Sequence, residues 1–158
     1  MAVWRRGHIG AWGQMKTTRS RPDKTLDDAH FAALAGFRRA LRQVMADSEQ
    51  ICAGLGVTTQ RFQALLAIRT AAGQAMSIGA LADELVLKHH SAVELAGRLE
   101  QAGLVSRKGD PDDKRRVLLT LTETGAARLG DLTRAHGERL AGSREAIIDS
   151  LKTLPGAD

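Results

Sequence analysis

Two short stretches of the 158-residue chain hold most of the side chains able to do chemistry. The first is "KHHSAVE", residues 88–94, and the second is "RKGDPDDKRR", residues 107–116. In the first, Lys88, His89, His90 and Ser91 stand at or near a helix start, with Val93 and Glu94 in the next turn. A helix N-terminus and a lysine suit phosphates, whereas His, Ser and Glu can meet base edges. A metal reading of the two histidines fails on geometry. Adjacent helical residues point about 100° apart and cannot share one ion unaided, and no Cys or carboxylate cluster supplies further ligands.

The second stretch surrounds three strong turn formers, Gly109, Asp110 and Pro111, with Arg107, Lys108, Lys114, Arg115 and Arg116. The flanking runs "LVSRK" and "RVLLTL" have β character, which predicts a hairpin. A cation aimed into a minor groove benefits from rigid presentation, because ordering it on binding costs conformational entropy. Asp112 or Asp113 can hold a guanidinium in a fork-like pair and Pro111 fixes a backbone torsion, which would preorganise Arg115 or Arg116. The competing reading is a solvated, charged hairpin that only maintains solubility.

Enzymatic chemistry lacks its usual signatures. The chain has no HExxH, GxSxG, P-loop or CxxC pattern, and "GLGVTT" lacks the third glycine of a dinucleotide fingerprint. A single cysteine, Cys52, excludes an internal disulfide framework. No run approaches the roughly 20 apolar residues needed to span a bilayer, and a soluble cytoplasmic protein is expected.

The formal charge of +5 points to nucleic acid less directly than its size suggests. Residues 1–24 hold six Lys and Arg against Asp23, leaving 17 basic and 17 acidic residues in the remainder. Nucleic-acid binding by the folded part therefore has to rest on local arrangement. Residues 1–24 are Gly-rich and basic and show no helical or alternating period, so a disordered arm is expected there. Such an arm would either track DNA phosphates or be a dispensable extension, with Met15 an alternative start.

Helices must position both stretches. Phe31, Leu34, Phe37, Leu41, Val44, Met45 and Ile51 recur at three- and four-residue steps, predicting one long amphipathic helix over 26–53 with an apolar stripe in need of a partner. "VTTQRFQALLAIRTAAG", "SIGALADELVL" with Ser77 as N-cap, and "KHHSAVELAGRLEQAGLV" predict three short helices in succession. After the hairpin, Thr122 and Glu123 open a last long helix over 123–154, with Leu129, Leu132, His136, Leu140, Ile147 and Leu151 near one face. Three short helices followed by a hairpin is the order of a winged helix-turn-helix, whose second helix can enter a major groove while the wing reaches the adjacent minor groove. The expected fold is mainly α with a small β-hairpin wing.

With these residues in view, positions 26–154 resemble the MarR family of bacterial winged helix-turn-helix regulators. The resemblance rests on "LADELVLKHHSAVELAGRLEQAGLVSRK" followed by "DPDDKRRVLLTLTETG". It implies a homodimer whose first and last helices interlock, with residues 58–121 forming a DNA-binding lobe that meets a palindromic operator. It further implies that Asp113 is the wing aspartate, that Arg115 is the minor-groove arginine, and that Ser91, Val93 and Glu94 face the major groove. A small, often aromatic effector would bind between the dimerisation helices and the lobe, with His30, Phe31, Phe37, Phe62 and Leu66 as candidate lining. Cysteine sensors of the family carry that residue nearer the start of the first helix, so Cys52 is expected to be a buried, inert thiol rather than a redox switch. A third class, a winged-helix adaptor that binds protein instead of DNA, is favoured by Glu94 and the balanced charge.

Overall fold

The computed structural model describes residues 26–110, 113 and 116–154. The expected basic arm over 1–24 lies outside the described residues, as do Pro111, Asp112, Lys114 and Arg115 in the hairpin loop.

Helix α1 (Asp28–Gly54) starts at Asp27, whose carboxylate accepts from the His30 N–H at 3.1 Å. The His30 ring closes back on the Asp27 N–H at 3.3 Å, completing a reciprocal cap. Over its length α1 fully buries only Ala33, Asp47 and Cys52, while Phe31, Leu34, Leu41 and Met45 remain exposed. Thr58 caps α2 (Thr59–Thr70), and a 3-10 turn (Ala72–Gln74) leads into strand β1 (Ala75–Ser77). Ser77 accepts from the Ala80 N–H at 3.2 Å and so starts α3 (Ile78–Glu84). Helix α4 (His89–Gln101), strands β2 (Val105–Gly109) and β3 (Val117–Leu121), and helices α5 (Glu123–Ala141) and α6 (Arg144–Thr153) complete the chain.

The main core lies between α2, α3, α4 and the sheet, around Leu65, Ile68, Leu81, Leu99 and Leu119, each 0% exposed. Complete burial of such a side chain stabilises by about 1.5–3 kcal/mol, so this cluster holds the helix-turn-helix as one unit. Cys52, Val57 and Leu132 form a smaller cluster beneath α1 and α5, and Phe62 packs against both.

Two features depart from the sequence expectation. The hairpin is part of a three-stranded antiparallel sheet of order β1-β3-β2, because β1 pairs Met76 opposite Leu119. Three residues following a 3-10 turn are too few to show an alternating pattern, so β1 had no signature of its own. The single helix expected over 123–154 is in fact two, broken at Gly142 and Ser143, a residue pair at which helices commonly kink. The break lets α6 fold back against α1, with Ser150 Oγ 3.1 Å from where a Cβ on Gly36 would lie. No single described helix is long and apolar enough to cross a membrane.

The segment "LTETG" joins hairpin to helix through one crowded contact. Thr122 donates its backbone N–H to the Leu104 carbonyl at 3.1 Å and its hydroxyl to the Gly103 carbonyl at 2.6 Å. The same hydroxyl oxygen accepts from the Gly125 N–H at 3.0 Å and caps α5. A Cβ on Gly125 would stand 1.9 Å from the Leu104 carbonyl oxygen, a distance no side chain tolerates. Gly125→Ala should therefore displace α5 from the hairpin and lower unfolding stability by about 3 kcal/mol in urea titration. An unchanged midpoint would show that this approach is not a constraint.

Candidate nucleic-acid interface

Helices α3 and α4 meet through the turn Leu85–Val86–Leu87–Lys88. Leu85 and Leu87 pack on the core, whereas Val86 points outward and is 92% exposed. The Val86 backbone has φ +53°, a left-handed conformation that costs an L-residue about 1–2 kcal/mol. Lys88 occupies the N-cap of α4 and makes no side-chain capping bond, which leaves the first backbone N–H groups of the helix available to an anion.

The apolar stripe of α4, Ala92, Leu95, Ala96 and Leu99, faces the core. That orientation turns Lys88, His89, His90, Val93 and Glu94 to solvent together, with Ser91 half-buried beside them. Glu94 lies 3.5 Å from Arg98 one turn on, and both side chains are largely exposed. An exposed pair of this kind contributes about 0–1 kcal/mol, so Glu94 can readily exchange Arg98 for another donor.

The strands continue this surface. Arg107 Nε lies 2.9 Å from the Glu100 carboxylate of α4, so Arg107 fastens β2 to the helix as well as adding positive charge. Lys108 is exposed. Asp110, expected only to help form the bend, also holds Arg116, with Nη1 to Oδ2 at 3.5 Å and the aspartate side chain just 9% exposed. The Asp110 N–H donates to the Arg116 carbonyl at 3.0 Å, and the Arg116 N–H donates to the Asp113 carbonyl at 2.9 Å. Ser106 and Thr120 join their hydroxyls across the strands at 2.9 Å. Opposite charges facing each other in the Gly109–Val117 register were a usable sequence signal, but only once the register was known. The Arg107–Glu100 link joins two elements with separate periodicities and had no such signal.

The five residues expected to line an effector pocket do not converge within the chain. His30 is taken up in the cap of α1, and Phe31 is 59% exposed on the outer side of that helix. Phe37 is half-buried farther along α1. Phe62 stacks on His136 with ring centroids 4.3 Å apart. Leu66 instead lines an open groove of about 520 Å³ between α2 and α5, with Arg69, Ala126, Leu129, Thr133 and Arg134. The helical spacing that grouped these aromatic residues also serves ordinary packing and capping, which is where the structure uses His30 and Phe62.

Sequence reading missed a polar link between α1 and α5. Asp47, 6% exposed, accepts from Gln43 Nε2 and Arg139 Nη2, each at 3.0 Å. The Arg139 hydrogen bond, followed by that of Gln43, holds its carboxyl below the ordinary carboxylate value, against the opposing effect of desolvation. His136 Nδ1 lies 2.7 Å from the Leu132 carbonyl, which can only accept, so Nδ1 carries a proton. In the neutral ring, Nε2 then accepts from the Ser48 hydroxyl at 2.9 Å. Cys52, one turn beyond Ser48, is 1% exposed, and burial pushes its thiol up despite hydrogen bonds to Ser48 and Thr59.

An outward-facing second helix fastened to a two-stranded wing defines a winged helix-turn-helix. Known proteins agree with this geometry. The sequence pattern of the MarR family matches residues 55–116. The organic hydroperoxide resistance transcriptional regulator of Bacillus subtilis is 28% identical over 110 residues, covering 63% of this chain and 74% of that protein. Among solved structures, a MarR variant from E. coli complexed with operator DNA superposes with a TM-score of 0.56 at 25% identity, covering 80% of this chain and 87% of that one. NadR in complex with 4-hydroxyphenylacetate superposes with a TM-score of 0.61 at 24% identity, covering 78% and 86%. Over residues 55–116 the chain carries the MarR family pattern, and its fold is the winged helix-turn-helix of MarR-family transcriptional regulators.

Two measurements probe the α1–α5 link. A depressed carboxyl stabilises the fold in full above the ordinary carboxylate range, near 4, and loses that contribution as pH falls through its folded value. The stability gap between wild type and Asp47→Asn should accordingly be constant near neutrality and shrink below about pH 4. A gap that widens on acidification would contradict the assignment. The Cys52 thiol should react with a disulfide reagent only as fast as the protein unfolds; rapid labelling of the native protein would mark it as accessible.

Proposed function

We propose that the chain is a homodimeric repressor acting in the cytoplasm, which binds a palindromic operator and releases it on binding a small molecule. One observation carries this reading: α4 turns Lys88, His89, His90, Val93 and Glu94 outward together, beside a wing strand that adds Arg107 and Lys108. Ser91, Val93 and Glu94 would read base edges, Lys88 and the N-terminus of α4 would hold phosphate, and Arg115 would enter the minor groove, with Asp113 orienting it and Lys114 and Arg116 close to the backbone.

The dimer is supported by exposed apolar side chains at both ends of the chain: Phe31, Leu34, Leu41 and Met45 on α1, and Leu140, Ile148 and Leu151 on α5 and α6. Two copies joined through these helices would present two α4 helices to successive major grooves. An effector has only to prefer a dimer whose two helices no longer match that spacing. The groove at Leu66, with apolar walls between Arg69 and Arg134, would seat an aromatic acid. The effector-bound NadR structure supports the general scheme.

The test combines operator selection from genomic fragments with mass measurement in solution. A dimer should select an inverted repeat, its affinity should fall steeply with salt as counterions are released, and Arg115→Ala should weaken binding by about tenfold. Undiminished binding by Arg115→Ala would remove the wing assignment. Failure to bind any DNA at low salt, together with tight binding of another protein, would favour an adaptor.

A further inference from the structure

Three helices in this protein end in the same hydrogen-bonded turn. At the end of α1 the Gly56 N–H donates to the Ala53 carbonyl at 3.0 Å and the Val57 N–H to the Cys52 carbonyl at 2.9 Å. At the end of α4 the Gly103 N–H donates to Glu100 at 2.8 Å and the Leu104 N–H to Leu99 at 3.0 Å. At the end of α3 the Val86 N–H donates to Asp83 at 3.3 Å and the Leu87 N–H to Ala82 at 2.8 Å. In each turn one residue adopts the left-handed conformation, with φ +69° at Gly56, +67° at Gly103 and +53° at Val86. Glycine is the usual occupant, and a β-branched residue is the least suited to it.

Val86 gains nothing within the chain to offset this strain. Its neighbours Leu85 and Leu87 supply the core contacts of the turn, while its own side chain is 92% exposed. A strained residue kept where glycine would fit is an indication of function. The turn stands two residues before the N-cap of α4, next to the exposed His89 and His90. In helix-turn-helix docking the first residues of the second helix meet base edges, so this turn lies at the rim of the major groove. A valine side chain has no donor for phosphate. The apolar group that the major groove offers it is the thymine C5-methyl.

We infer that Val86 is a specificity-determining residue that packs its isopropyl group against a thymine methyl at the edge of each half-site. This rests on the proposed docking of α4 in the major groove. It adds a contact from the turn to those assigned to the helix and the wing.

Val86→Gly separates the side chain from the backbone strain. The variant should melt about 2–4 °C higher than wild type, as relief of the strain predicts for a chain of this size. It should nevertheless bind about five- to tenfold more weakly to a duplex selected by wild-type protein from a random-sequence pool. The salt dependence should stay the same, since no phosphate contact is lost. Replacing thymines of that duplex singly by uracil should locate one position per half-site where wild type is weakened and Val86→Gly is not, the signature of a direct pair. If wild type binds the duplex and Val86→Gly binds it equally well, the inference fails while the DNA-binding role stands. Absence of binding by wild type would bring down the docking and this contact together. Weakened binding with no uracil-sensitive position would overturn the thymine assignment, as would a variant altered only in its oligomeric mass.

Discussion

The Leu104 carbonyl is the point on which the rest of the structure depends. It lies just after the glycine that ends α4 and just before β2, accepts the Thr122 N–H, and occupies space that any Cβ on residue 125 would need. One peptide group thus sets the end of the second helix of the helix-turn-helix, the root of the wing and the start of α5. Local preferences build each of these elements separately, but their mutual angles come from this contact. Glycine is required at position 125 for steric reasons and a hydroxyl is used at position 122 for its two hydrogen bonds, which accounts for "T" and "G" in a segment that does no chemistry of its own.

The layout above that point follows from how little α1 buries. A 27-residue helix that fully buries three residues gains little stability from its own chain, and one of those three is a carboxylate. The folding back of α6 covers part of α1, and the Asp47–Arg139 and Ser48–His136 pairs join it to α5 by polar contacts whose directions are fixed. Apolar packing tolerates sliding, whereas an Arg–carboxylate pair and a histidine with both nitrogens engaged do not. The polar link therefore sets the register between the two helices more strictly than the small cluster around Cys52 and Leu132 could.

Much of this architecture was legible in the sequence where a local signal was strong. Ser77 and Thr122 cap the helices they were expected to start, and Leu95, Ala96 and Leu99 of α4 face the core as the periodicity of "KHHSAVELAGRLEQ" required, whereas Val93, which the same spacing placed on that stripe, is exposed and Ala92 takes the buried position. The sequence was least informative where the deciding partner is distant. Arg107 reads as one more wing cation until Glu100 is found beside it, and Asp110 reads as a turn former until Arg116 is seen across the hairpin. Within a single chain His30, Phe31, Phe37, Phe62 and Leu66 do not line one cavity, because helical spacing records which side of one helix a residue occupies, not which neighbour that side meets. Gly142 and Ser143 were visible as weak helix formers, but only the return of α6 onto α1 makes the break worthwhile.

The Glu100–Arg107 pair has a consequence for how binding energy accumulates. With β2 tied to α4 through this pair and through the core they share, and the strands joined again by Ser106 and Thr120, the wing is held at a set angle to the helix. Once α4 is seated on a surface, the wing is already at high effective concentration against whatever lies one groove away, and its contact is intramolecular. Loosening that one carboxylate would leave every side chain available to a ligand in place and the shared core of Leu99, Val105 and Leu119 intact, yet widen the positions open to the wing and so lower that effective concentration.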